Sequence, residues 1–140
     1  MELKFTAGDE IHTLVIPDDM VFRGDLRLLS IGLKKLPDLS GVTVTGDFDC
    51  SCNELVSLQG APKSVGGNFD CSFNKLTSLQ GAPQSVGGDS DCFRNRSLIS
   101  LNGVSQEIGG KFICNNKRLV KEYEEKKLAC FAVKQKQKKK

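Results

Sequence analysis

The six cysteines are the residues of this 140-residue chain that could carry the most chemistry. Four of them follow one another at intervals of 21, 21 and 22 residues: Cys50, Cys71, Cys92 and Cys114. Thiolates act as nucleophiles and bind soft metals, but a zinc site needs ligands that converge tetrahedrally. His12 is the single histidine, so there is no second imidazole for catalysis or metal binding. The regular spacing suggests instead that the cysteines belong to a repeated structure.

The chain around these cysteines repeats at the same interval. Blocks that begin with glycine start at Gly24, Gly46, Gly67, Gly88 and Gly110. The two central blocks read "GDFDCSCNELVSLQGAPKSVGG" and "GNFDCSFNKLTSLQGAPQSVGG", and the outer blocks diverge from them progressively. A fixed period of this length indicates a solenoid, in which each unit buries its apolar face by stacking on its neighbours.

Each unit contains the alternation of a short strand. Phe48 and Cys50 flank Asp49, so both apolar side chains are predicted to face the interior. An asparagine follows three of the cysteines by three positions and is expected to satisfy the backbone of a turn: Asn53, Asn74 and Asn95. A second apolar row precedes the strands by four residues: Phe22, Val44, Val65, Val86 and Ile108. Because free cysteine behaves as a small, readily buried hydrophobe, the repeated cysteines are interpreted as packing residues.

The units follow the pattern L-x-L-x-x-N-x-L with Phe and Cys at Leu positions, and in this they resemble leucine-rich repeats. The two central units are also similar to short-repeat members of that family carried by large tailed bacteriophages and some bacteria. The resemblance covers about residues 24–119 and implies an α/β-type repeat solenoid with a parallel β-sheet on its concave face. It also implies a mostly non-helical convex side. Ile31 and Lys117 replace the asparagine in the terminal units, where capping units usually depart from a consensus.

The whole chain, 1–140, is predicted to form one domain, because it is too short for two independent cores. Residues 1–23 alternate well enough to form an N-terminal β cap, and residues 24–119 hold about five repeats. Residues 117–133 lack Gly and Pro, are rich in helix formers, and are predicted to form a C-terminal capping helix. Residues 134–140, "KQKQKKK", form a basic tail.

The outward strand positions define a candidate partner-binding face. Its first feature is an acidic row, Asp49, Asp70 and Asp91, whose members are predicted to lie in register on adjacent strands. Like charges across neighbouring strands are destabilising, so a chain that keeps them could use them to attract a basic partner. Duplication of a unit would copy its aspartate as well, and this explanation stays open.

The second feature of this face is a pair of aromatic residues beside an arginine. Phe73, Phe93 and Arg94 stand at outward positions where the corresponding residues of other units differ, so duplication does not account for them. Aromatic residues with arginine are the usual composition of an interface hot spot. The alternative is that the irregular fourth unit turns Phe93 inward to fill space.

Charge is distributed unevenly along the chain. Residues 1–110 hold nine Lys and Arg against fourteen Asp and Glu, a net charge of −5, whereas residues 111–140 hold eleven against three, a net charge of +8. The tail could serve solubility, bind an anionic protein or membrane surface, or attach nucleic acid by nonspecific phosphate contacts. The nucleic-acid hypothesis rests on Lys134, Lys136, Lys138, Lys139 and Lys140.

The remaining patterns argue against several functional classes. There is no phosphate-binding loop and no zinc-finger spacing, so we expect neither an enzyme nor a metal or other cofactor. No run approaches the roughly 18 apolar residues of a membrane span, and the first residues lack the apolar segment of a secretory signal. We expect a monomeric cytoplasmic protein that binds another protein through its concave face. The resemblance further implies a phage factor that binds, and inhibits, a host or defence protein in the host cytoplasm.

Overall fold

The chain folds as a repeat solenoid of about four turns with parallel sheets, as predicted. The structure, a computed structural model, describes the backbone of residues 1–138 and the side chains of residues 1–129. An antiparallel hairpin precedes the solenoid and a helix follows it. These two additions match the predicted positions of the β cap and the capping helix.

The solenoid is built from strands of only two residues, which form two parallel five-stranded sheets. The first sheet consists of β4 (Leu26–Arg27), β6 (Phe48–Asp49), β8 (Phe69–Asp70), β10 (Ser90–Asp91) and β12 (Phe112–Ile113). The second sheet consists of β3 (Val21–Phe22), β5 (Thr43–Val44), β7 (Ser64–Val65), β9 (Ser85–Val86) and β11 (Glu107–Ile108). The second sheet coincides with the second apolar row of the sequence. That row was not predicted to form strands.

The core lies between the sheets and is filled by equivalent residues stacked from turn to turn. Phe48 and Phe69 stack with ring centroids 5.9 Å apart and an interplanar angle of 3°. Cys50, Cys71 and Cys92 are buried free thiols in the next inward position. Burial therefore explains these three cysteines as packing residues.

The asparagine ladder ties successive turns together. Asn74 is buried, and its Nδ2 donates hydrogen bonds to the carbonyl oxygens of Cys50 and Cys71 at 3.0 and 3.1 Å. Its Oδ1 accepts the N–H of Leu55, in the preceding turn, at 3.0 Å. Asn53 and Asn95 make the equivalent bonds. These amides satisfy backbone groups that the turns leave without a sheet partner.

The hairpin covers the N-terminal side of the solenoid. β1 (Glu2–Ala7) and β2 (Glu10–Val15) pair antiparallel, with Leu3 opposite Leu14. Both leucines pack partly buried against the core, and the N–H of Gly8 donates to the carbonyl of Gly32 at 3.2 Å. The hairpin is therefore joined to the first turn by apolar contact and by backbone bonding.

The helix α1 (Lys117–Lys138) begins directly after the last turn. Asn116 caps it, because its Oδ1 accepts the N–H groups of Arg118 and Leu119 at 3.1 and 3.3 Å. Leu119 and Tyr123 are buried, and the Tyr123 ring lies 4.9 Å from that of Phe112, centroid to centroid. The helix continues through residues that were assigned to the basic tail. Within residues 1–138, no helix is both long enough and apolar enough to cross a membrane.

Candidate binding surface

The acidic row of the first sheet lies in the predicted register. Asp49 pairs with Asp70, and Asp70 pairs with Asp91. Each Oδ1 accepts the backbone N–H two residues further on, at 2.9 Å in all three cases: Ser51, Ser72 and Phe93. The carboxylates thus bond the backbone where each strand ends, a structural role that recurs with the repeat.

A second polar column stands at the corner between the sheets, and its side chains bond the next turn. The N–H of Asn68 donates to Oδ1 of Asp47 at 2.7 Å, and the N–H of Asp89 donates to Oδ1 of Asn68 at 2.9 Å. Asp25 and Asp89 bond the following turns in the same way. Part of the negative charge at this edge therefore belongs to side chains whose hydrogen bonds join successive turns.

The acidic row is strained electrostatically at Asp91. Burial raises the pKa of Asp91 above its usual range, and the N–H of Phe93 opposes this rise. The carboxylates of Asp70, Asp89 and Asp49 raise the pKa further. Because the pKa of Asp91 is higher in the folded state, the protein is more stable when this carboxyl group is protonated and neutral. This contribution is present below the ordinary aspartate pKa of about 3.9 and is lost as pH rises through the folded-state pKa.

Replacing Asp91 with asparagine is therefore expected to stabilise the protein at pH 7. The asparagine Oδ1 can keep the hydrogen bond to Phe93, while the charge is removed. Partial exposure screens the repulsion, so the gain should be at most about 1 kcal/mol. Urea unfolding at pH 7 and pH 3 measures it, and the gain should vanish at pH 3. A stability difference that is equal at both pH values would contradict the charge explanation.

Phe73, Phe93 and Arg94 form the aromatic cluster at the end of the first sheet. The two rings meet edge to face, with centroids 6.3 Å apart and an interplanar angle of 67°. The Arg94 guanidinium carbon lies 5.5 Å from the centroid of the Phe93 ring, a cation–π contact. Phe73 is 51% exposed and Phe93 36% exposed, so Phe93 is not packed into the core. The structure thus brings all three side chains together on the surface.

The backbone beneath the cluster is left-handed at the same position of four turns. Ser30, Cys52, Phe73 and Arg94 have φ of 53°, 56°, 56° and 60°. Left-handed backbone favours Gly or Asn, and other residues pay roughly 1–2 kcal/mol there. Because the backbone does not favour Phe73 or Arg94, local conformation gives no reason for these residue types.

A groove of about 990 Å³ between the second sheet and α1 was missed in the sequence. Its lining includes Thr43, Ser64 and Ser85 from the sheet and Tyr123, Lys126 and Lys127 from the helix. The hydroxyl of Ser64 donates to that of Thr43 at 3.3 Å. Only the inward apolar residues of this sheet formed a recognisable pattern, although its outer hydroxyl column repeats with the same period.

The structure also places Cys52 and most of the C-terminal lysines. Cys52 is exposed, and no group of three His, Cys, Asp or Glu within the described part of the chain is arranged to share a metal ion. Lys134, Lys136 and Lys138 lie on the last turns of α1, where side chains are not described, and Lys139 and Lys140 lie outside the described residues. The nucleic-acid hypothesis therefore stays a prediction.

No protein-family model, curated protein or solved structure matches this chain.

Proposed function

We propose that this protein is a non-enzymatic binding module that uses the outer face of the first sheet to bind, and so inhibit, another protein. The aromatic cluster carries this proposal. It combines two exposed aromatic rings and an arginine, which are enriched at interface hot spots. The contact between Phe73, Phe93 and Arg94 restrains them before any partner binds, which reduces the entropy lost on binding.

The acidic row supports a partner with a basic surface. Asp49, Asp70 and Asp91 stand side by side next to the cluster and are only partly buried. Opposite charge on a partner would relieve their mutual repulsion while accelerating association. The expected partner surface therefore has an apolar pocket for the rings and lysine or arginine residues along one side.

The finer identity of the module is also part of the proposal. The units are proposed to be leucine-rich repeats, on the L-x-L-x-x-N-x-L pattern and the parallel stacking of its strands. The similarity of the central units to phage-borne repeats supports a phage factor that acts as a monomer on a host or defence protein in the bacterial cytoplasm.

Capture from nuclease-treated bacterial lysate tests this function. Replacing Phe73 and Phe93 with alanine is expected to weaken partner binding about 30-fold or more, since hot-spot residues contribute 2 kcal/mol or more. The matched control replaces Val56 and Ile99, exposed apolar residues of the loops, with alanine and should bind normally. Equal loss in both variants would refute the assignment of the face.

The untreated lysate distinguishes the nucleic-acid alternative. Material that is captured only without nuclease, and is released by deleting residues 134–140 or by moderate salt, would identify the lysine tail as the binding element. Binding through the first sheet should instead persist after nuclease treatment and after removal of the tail.

A further inference from the structure

Cys92 and Cys114 differ from the other stacked thiols in their position at the last turn. Asp91 and Ile113 are paired residues of β10 and β12, so the cysteines that follow them are neighbours on adjacent parallel strands. The N–H of Cys92 donates to the carbonyl of Ile113 at 2.9 Å. Neighbouring strands lie about 4.8 Å apart, which is inside the range of Cα separations, about 4.4–6.8 Å, that a disulfide spans.

The two thiols have unequal surroundings. Cys92 is 1% exposed, and its sulfur lies 3.1 Å from the carbonyl oxygen of Ile113. Cys114 is half-buried, and its sulfur accepts the N–H of Asn116 at 3.4 Å. Asn116 caps α1, whose first turn carries Lys117 and Arg118 and no acidic residue. The N–H of Asn116, at the N-terminus of α1, favours a thiolate at Cys114.

The titration of the pair follows this asymmetry. The neighbouring Cys92 thiol lowers the pKa of Cys114 to about 6, assisted by the N–H of Asn116 and opposed by burial. The same proximity to Cys114, together with burial, raises the pKa of the Cys92 thiol far above its usual range. Burial also raises the pKa of Cys50 and Cys71, so these thiols stay protonated. Asp91 points to the outer face of the sheet, and its charge adds to the rise in the pKa of Cys92.

We propose that Cys114 is a modification site for peroxides, and that Cys92 is the thiol that resolves the oxidised product into a disulfide. The Cys114 thiolate attacks one peroxide oxygen, forming an S–O bond and breaking the O–O bond. Sulfur is oxidised to sulfenic acid, while the departing oxygen is reduced and leaves as water or an alcohol after taking up a proton. Oxidation removes the Cys114 thiolate, which is one cause of the raised pKa of Cys92. The Cys92 sulfur then attacks the sulfenic sulfur, and its proton goes to the departing hydroxyl group. The S–S bond forms, the S–O bond breaks, and water leaves.

Peptide mapping of the unmodified full-length protein tests this proposal directly. Trypsin separates Cys71, Cys92 and Cys114 into peptides 64–75, 76–94 and 112–117. After treatment with hydrogen peroxide and alkylation of the remaining thiols, peptides 76–94 and 112–117 should be recovered joined, with the loss of two hydrogen atoms. Recovery of 64–75 joined to 76–94, or of all three peptides alkylated, would overturn the proposal.

Two further measurements identify the attacking sulfur. In Cys92→Ala, a sulfenic-acid trap should label Cys114, whereas in Cys114→Ala it should label neither position. Alkylation of Cys114 by iodoacetamide should be nearly constant above pH 7 and should fall as pH drops through about 6. A rate that rises about tenfold per pH unit between pH 7 and 8, as for an ordinary thiol with a pKa near 8.5, would contradict a thiolate at Cys114.

Discussion

Replacing Asn74 with alanine is expected to destabilise the protein by about 2–4 kcal/mol. The amide of Asn74 satisfies the carbonyl groups of Cys50 and Cys71 and the N–H of Leu55, and the side chain is 7% exposed. Alanine would leave the N–H of Leu55 buried without a partner, and the carbonyl oxygens of Cys50 and Cys71 would each lose one of two donors. A buried group left unsatisfied costs roughly 1–3 kcal/mol, and each hydrogen bond lost at the two carbonyl oxygens costs about 1 kcal/mol more.

Asn68→Ala is the matched control for this prediction. Asn68 belongs to the same unit and also bonds across turns, but it is exposed, so water can replace the lost hydrogen bond to Asp89. Its removal should cost no more than about 1 kcal/mol. Urea unfolding followed by circular dichroism measures both variants. Similar losses for Asn68 and Asn74 would show that the buried ladder does not hold the turns together.

Replacing Gly87 with alanine is expected to be equally severe, at about 3 kcal/mol or more. A Cβ at Gly87 would lie 2.1 Å from the carbonyl oxygen of Gly66 in the preceding turn. That oxygen belongs to backbone and cannot rotate away as a side chain would. Gly87 also donates its N–H to Val65 at 2.9 Å, which fixes the spacing between the turns. The added methyl group must therefore force two turns apart.

Gly41→Ala separates this steric effect from the general cost of replacing glycine. A Cβ at Gly41 would lie 3.4 Å from the terminal methyl group of Met20, which is flexible. Thermal unfolding should therefore show a large decrease in melting temperature for Gly87→Ala and little change for Gly41→Ala. A small effect at Gly87 would mean that the turns can separate without loss of the sheets.

Much of the solenoid could be predicted because the residues that pack inside it recur at fixed positions in each unit. Phe48 and Cys50, with their copies, marked the inward face of the first sheet, and the period gave the register between turns. The second sheet could not be predicted as strands, because the apolar residue of each unit, such as Val65, is followed two positions later by glycine and shows no alternation. The end of α1 at Lys138 was also missed, since a run of Lys and Gln suits a helix as well as a solvated tail.

The candidate surface was predictable only where side chains differ between copies. Phe73, Phe93 and Arg94 stood out for this reason, and the structure brings them into contact. The hydrogen bonds of the aspartates were not predictable, because the sequence does not distinguish an aspartate that accepts a backbone N–H from one that faces water. The special position of Cys114 depends on the cap of α1, which no repeat pattern contains.

Photo-crosslinking from the aromatic cluster tests the binding function most directly. Phe73 is replaced by p-benzoylphenylalanine, which keeps an aromatic ring at an exposed position, and the protein is irradiated in nuclease-treated bacterial lysate. Ile99, which is 68% exposed in a loop, carries the same group in the control. The proposed function predicts one covalent protein adduct from position 73 and none from position 99. Absence of an adduct at position 73, or the same adducts from both positions, would contradict a partner-binding face on the first sheet.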